Sequence, residues 1–163
     1  MPHFNDPGTD LTVDVFVVNG SRVLLRVHDK FGVWLTPGGH IEPHESPNEA
    51  ALREVIEEVG LCVELVPPAS FVELAGNAVG DGRDLIPPRY LNEHAITQTH
   101  RHVTLIYFAR LLPGSSTEVA PQDARDRSDR WHWWSADELR APDNDVPDVV
   151  REHALSALRE LSQ

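Results

Sequence analysis

Apolar and polar positions alternate along the first part of the chain. Thr12 to Val18 and Arg22 to Val27 are β-rich runs, and Asn19-Gly20-Ser21 between them carries the Asn-Gly signal of a tight hairpin, so the two pair antiparallel. Val33 to Thr36 is a further short strand that runs into the breaker cluster Pro37-Gly38-Gly39, which turns or loops. The period then changes from two to 3.6. Ser46 is an N-cap, Pro47 suits the first helical position, Glu49 completes a capping box and Gly60 ends the helix, which spans Pro47 to Val59.

Beyond that helix, Leu61 to Val66 and Phe71 to Ala75 are expected strands, and His102 to Leu111 is a longer one rich in β-branched and aromatic residues. Gly76 to Arg101 is too long for a plain connector; it is expected to hold a short strand at Ala95 to Thr99 and otherwise to flank a site. Pro113 to Arg130 is a second polar loop, Trp131 to Trp134 a last strand, and Ser135 caps a short helix through Arg140. Val149, Val150, His153, Ala154, Ala157, Leu158 and Leu161 recur at helical spacing and mark a final amphipathic helix.

Length and composition narrow the class. A chain of 163 residues, 40% hydrophobic and 25% charged, forms one globular domain over 1–163 whose stability rests on packing. The formal charge of -12 argues against long nucleic acid as a partner, because phosphate contacts need Lys or Arg; a small phosphorylated ligand then needs a cation as intermediary. No apolar run reaches the roughly 20 residues of a membrane span. The single Cys62, read as a buried strand thiol, fits a reducing compartment, and the expected location is the cytoplasm.

The chemistry concentrates on the first helix. At about 100° per residue, Glu54, Glu57 and Glu58 share one face, while Leu52, Val55, Ile56 and Val59 form the opposite stripe that fastens the helix to the sheet, leaving the carboxylates facing outward. Like charges at this spacing need solvent or a bound cation, and hard oxygen ligands favour Mg²⁺ or Mn²⁺. Arg53 lies at the edge of the acidic face, where its guanidinium can orient Glu45 and so tie the preceding loop to the helix. Gly38 and Gly39 allow close backbone approach, which lets a carbonyl join the metal shell.

From Gly39 to Leu61 these residues fill every fixed position of the Nudix box, G-x5-E-x7-R-E-U-x-E-E-x-G-U with U a bulky aliphatic. The chain thus resembles the Nudix hydrolase superfamily. Arg101 to Leu105 and the Trp131 to Leu139 ending also look like MutT-type members. The resemblance implies an α/β fold, an α/β/α sandwich around a mixed sheet, and a hydrolase that uses water and divalent cations to cleave the diphosphate linkage of a nucleotide-like small molecule. It implies Gly39, Glu54, Glu57 and Glu58 as metal ligands, Arg53 and Glu45 in the catalytic constellation, and Glu54 or Glu57 as the base; Glu93, Asp123 and Asp126 are unranked alternatives from later loops. A catalytically silent, nucleotide-binding sensor is the rival, but such domains usually lack box glutamates. Homodimerisation is left open.

Three further groups invite interpretation. His100 and His102 fall on one side of a strand with His94 nearby, yet a closed zinc site wants four ligands and no Cys is at hand, so surface or loop histidines are the favoured reading. Trp131, Trp133 and Trp134 can stack on a base but read first as core. For substrate contacts, Arg89 and Arg101, with Arg83, are the cations of the long segment, and Asn144 stands where MutT-type enzymes place a base-contacting Asn, with a plain turn residue in Pro142 to Asp145 as the competing account.

Overall fold

The computed structural model describes residues 7–27, 32–73, 82–122 and 130–162. In chain order the elements are β1 (Gly8–Asn19), β2 (Arg22–Val27), β3 (Trp34–Leu35), β4 (Gly38–His40), α1 (Pro47–Val59), β5 (Val63–Leu65), β6 (Tyr90–Ala95), β7 (His100–Leu111), β8 (Arg130–Ser135), α2 (Ala136–Arg140) and α3 (Asp148–Leu161).

The longest strands, β1 and β7, run side by side in parallel, from Gly8 opposite His100 to Val18 opposite Arg110. Among the described residues every other pairing is antiparallel. At one end β1 is joined by β4, with Thr12 opposite His40 and Val13 opposite Gly39; at the other it is joined by β2. The far edge of β7 is shared in the same way, β6 along its first half and β5 along its last residues. β3 and β8 extend the sheet from β2. The sheet therefore splays around a central parallel pair.

Both faces of that pair are covered, as a parallel pair requires. Odd residues of β1 (Val13, Val15, Val17) pack with Ala50, Ala51, Val55 and Val59 of α1, whereas even residues (Phe16, Val18) pack with Phe108, Trp134 and Ala154, Leu155 and Leu158 of α3. This is the layered α/β architecture expected. No helix among the described residues is long and apolar enough to cross a membrane.

Local signals place α1 as expected. Both hydrogen bonds of the Ser46–Glu49 capping box form, Pro47 opens the helix, and Gly60 closes it at φ 68° with its N–H donating to the Ile56 carbonyl. At the β1–β2 hairpin only Gly20 takes a positive φ (57°), the pattern of a type II′ rather than a type I′ turn. The Gly38-Gly39 breaker cluster is not a loop: with His40 it forms β4, because β1 offers it a pairing edge. The strand expected at Ala95 to Thr99 lies earlier, at Tyr90–Ala95, and Ile96 to Thr99 turn the chain back, with the Ile96 and Thr97 N–H groups donating to the His100 carbonyl. Leu61 to Val66 shortens to β5. Of the strand expected over Phe71 to Ala75, residues 71–73 are not extended into any ladder, and the remainder lies outside the described residues. Cys62 is exposed, because alternation through Leu61, Val63 and Leu65 turns those three inward and Cys62 outward.

Candidate active site

The site forms where β4 crosses the start of β1 and α1 lies across both. Arg53 organises it. Its Nε and Nη2 grip the two oxygens of Glu45 (3.0 and 2.6 Å), its Nη1 donates to Glu54 Oε1 (2.8 Å) and Glu57 Oε2 (3.2 Å), and its Nη2 also donates to the His40 carbonyl (3.0 Å). One planar fork thus ties the loop before the helix, two carboxylates one turn apart, and β4. The hydrogen bonds to Glu45, above all, push the guanidinium pKa up and fix its charge. Burial alone would raise Glu45; hydrogen bonds from Arg53 and from the Glu42 backbone outweigh it and hold that carboxyl below its ordinary range.

The carboxylates do not all face outward. Glu54 and Glu58 are buried and only Glu57 is half exposed, while Ile56, assigned to the packing stripe, is 41% exposed. The helix is rotated from the expected orientation because the sheet supplies partners for charge: Arg26 of β2 pairs with Glu58 Oε1 at 2.5 Å, and the Gly38 N–H donates to Glu58 Oε2 at 2.9 Å. Glu54 sits against Gly39, where a Cβ would stand 2.6 Å from its Cδ, so only glycine lets the strand pass over this carboxylate. Burial is the main cause raising the Glu54 pKa, with Arg53 pulling the other way.

Two ionisable residues next to this site, Arg26 on the α1 side of the sheet and Asp14 on the other, escaped the sequence argument. Asp14 lies opposite Gly38, and burial raises its pKa to about 7, opposed by the charge of Arg26. Arg26, buried beside Glu58, also lies over the Trp131 ring, 5.4 Å from its centroid. The signal for both was an ion inside an apolar strand, Val13-Asp14-Val15 and Leu25-Arg26-Val27.

The expected substrate contacts lie apart from this fork. Arg89 pairs with Glu160 (2.9 Å), donates to the Val66 and Pro67 carbonyls, and covers the Phe108 ring. Arg101 pairs with Glu93 at the surface (2.8 Å), and Arg83 with Glu49 (2.8 Å). The Asn144 side chain donates to the Leu139 carbonyl and accepts from the Val146 N–H, as a turn residue does. Asn48 clasps Ile86 through both its amide groups, which brings part of the long segment against α1 beside a cleft of about 420 Å³ lined by Leu52, Leu65, Phe71 and Arg83. Trp134 is core, and Trp131 and Trp133 pack partly buried on the opposite face. Asp123 and Asp126 lie outside the described residues. His100 and His102, expected at the surface or in a loop, are buried, because β7 starts at His100 between β1 and β6 and the rings pack against one another, His40, His94 and Asp10.

Comparison with known proteins identifies the family to which this fold belongs. An RNA pyrophosphohydrolase of Brucella anthropi is 30% identical over 151 residues, covering 87% of this chain and 80% of the relative. A putative 8-oxo-dGTP diphosphatase of Bacillus subtilis is 47% identical over 47 residues, 28% of this chain and 32% of that protein. A crystal structure of a NUDIX-family hydrolase from Clostridium perfringens superposes with a TM-score of 0.77 at 29% identity, over 94% of this chain and 98% of that one. The family model for the NUDIX domain matches residues 8–153, which takes in every described strand, the box helix and the start of α3, and the chain therefore belongs to the Nudix hydrolase family.

Proposed function

We propose that this chain, as a single domain, hydrolyses the diphosphate linkage of a small nucleotide-like molecule in the cytoplasm, with Mg²⁺ or Mn²⁺ as cofactor. The observation that carries the proposal is the Arg53 fork, which holds Glu45, Glu54 and Glu57 around the Gly39 backbone.

The donor set fits a hard divalent cation. Glu54, Glu57 and the Gly39 backbone are oxygen donors brought together by Arg53 and by the absence of a side chain on Gly39, and the raised pKa of buried Glu54 marks a carboxylate that gains from a nearby cation. Glu58, the third box carboxylate, adjoins them while bonded to Arg26 and Gly38. When bound, the cation would neutralise phosphate charge and raise the acidity of water at the site.

The chain's own residues do the rest. Arg53 fixes the distance between loop and helix, so that Glu54 and Glu57 are placed before substrate arrives. Glu57, the most exposed of the three, is the group best able to accept a proton from attacking water. The segment around Arg83 to Ile86, clasped by Asn48, borders the cleft beside α1 and would contact the part of the substrate beyond the diphosphate.

The test is phosphate and nucleotide release in excess Mg²⁺, with and without EDTA. The panel holds nucleoside triphosphates, dinucleoside polyphosphates, ADP-ribose, nucleotide sugars, CoA and a 5′-triphosphorylated RNA. EDTA-sensitive turnover of at least one small substrate is expected. Binding across the panel without turnover would instead make the domain a sensor, and turnover confined to RNA would overturn the small-molecule assignment.

A further inference from the structure

On the face of β1 turned away from α1 lies a second group of ionisable side chains that the box does not use. Alternation along β7 puts His100 and His102 on that face. The parallel register sets Asp10 opposite His102, the antiparallel β4 brings His40 in opposite Thr12, and β6 brings His94 opposite His102. Four strands converge at one end of the sheet.

The cluster is buried: Asp10 is 2% exposed, His100 1%, His40 8% and His102 9%. Asp10 Oδ2 is 3.3 Å from His40 Nε2 and 3.6 Å from His100 Nε2, and one donor atom each from Asp10, His100 and His102 lies within 4.8 Å of the others. Around the His102 ring stand His40 at 4.8 Å and His100 at 5.1 Å, at 84° and 89° to its plane, so the rings meet edge to face rather than stacked.

We propose that Asp10, His100 and His102 bind a divalent transition-metal cation of the zinc class, with His40 holding the Asp10 carboxylate in place.

Several physical arguments support this. Metal–ligand bonds of about 2.0 to 2.2 Å in a tetrahedral shell set neighbouring donors roughly 3.3 to 3.5 Å apart. The Asp10 to His100 separation is already near that value, and His102 closes the remainder by side-chain rotation. Imidazole nitrogen is the commonest protein ligand for zinc-class ions, and His100 and His102 each bring one such nitrogen within reach of the Asp10 carboxylate. A buried carboxylate among them is what a divalent cation compensates. Nitrogen donors separate this site from the all-oxygen box, since imidazole selects zinc-like ions where carboxylate and carbonyl select Mg²⁺ or Mn²⁺.

The site also has a mechanical connection. His40 follows Gly39 in β4, and its carbonyl accepts from Arg53. A cation that fixes Asp10 and its neighbour His40 therefore fixes the register of β4, and with it the Gly39 backbone beside Glu54.

The experiment uses the full chain, stripped with chelator and returned to excess Mg²⁺ so that hard-oxygen positions are filled. Zn²⁺ is then titrated against a chromophoric competitor, and Co²⁺ in parallel. The expected result is one tight equivalent of Zn²⁺, a rise in melting temperature on Zn²⁺ addition, and a Co²⁺ adduct with paramagnetically shifted imidazole N–H resonances. Asp10→Asn and His102→Gln should each lose the equivalent, whereas Glu57→Gln should keep it. Should those two variants fail to fold, the imidazole resonances of the wild-type Co²⁺ adduct still decide. The proposal is overturned by absence of saturable Zn²⁺ binding in excess Mg²⁺, by a Co²⁺ adduct lacking imidazole resonances, or by binding that survives Asp10→Asn and His102→Gln but disappears in Glu57→Gln.

Discussion

Gly39→Ala and Gly38→Ala should fail in different ways. A Cβ on Gly39 would stand 2.6 Å from Glu54 Cδ and 2.9 Å from Oε2. Ordinary contacts between such atoms are about 3.5 to 4.0 Å, so the carboxyl group must retreat by roughly 1 Å. Glu54 is buried and bonded to Arg53 Nη1 at 2.8 Å, and retreat breaks that bond or drags the guanidinium away from Glu45 and Glu57. Because the displaced atoms end a side chain that can turn, the cost in stability should be modest, near the low end of the about 1 to 3 kcal/mol typical of overpacking. Catalysis should suffer far more, since a misplacement of about 1 Å in a catalytic group costs on the order of 10²-fold in rate. A Cβ on Gly38 instead meets the Val13 carbonyl oxygen and stands 3.1 Å from the Asp14 Cα, which are backbone atoms that no rotamer can move. That variant should lose about 3 kcal/mol or more, as β4 is prised from β1. Urea unfolding gives the stabilities and kcat on the best panel substrate gives the rates. If Gly39→Ala turns over at the wild-type rate, or unfolds as readily as Gly38→Ala, the close approach of β4 to Glu54 is not what shapes the site.

Three other outcomes follow from the same contacts. Glu57→Gln should keep the fold and lose at least about 10²-fold in kcat, and residual wild-type turnover in that variant or in excess EDTA would refute the cation assignment. Asp14 binds its proton more tightly folded, near pH 7, than unfolded, near 3.8, so the wild type should lose stability as pH rises between those values and stay level above. Asp14→Asn should then match the wild type near pH 4 and exceed it by about 1 to 4 kcal/mol at pH 8, a difference that a flat comparison by thermal melts would disprove. Arg89→Ala should cost about 1 to 3 kcal/mol in stability and leave kcat/KM unchanged, since its partners are Glu160, two carbonyls and Phe108; a selective rise in KM would return Arg89 to the substrate pocket.

Helix α1 was readable to the residue because its determinants are local: Ser46, Glu49 and Gly60 satisfy backbone groups within a few positions of themselves. The Arg53–Glu45 tie was readable for the same reason, the two lying only eight positions apart. What sequence did not show depends on distant partners. β4 exists only because β1 provides an edge for Gly38, Gly39 and His40, and two glycines in a row carry no strand preference of their own. Glu58 is buried because Arg26, 32 residues earlier, meets it. The hairpin of β6 with β7 was misplaced because Tyr90 to Ala95 has no apolar alternation, its side chains being largely exposed. The histidine cluster needs Asp10, His40 and His100 from three strands, and no spacing rule links them.

The parallel joining of β1 to β7 also sets the order in which the molecule can assemble. Residues 8–18 have their main partner at residues 100–110, so about ninety residues must emerge or search before the central pair closes, and contacts this distant in sequence slow folding. Helix α1 can form early from its own caps, yet until β7 arrives the strand that carries Asp14 lacks a neighbour on one side. A chain cut before residue 100 would keep the whole box and the strands β1 to β4 but lack β7, the long partner of β1, and such nascent chains would present the unpaired edge of β1 to any other strand.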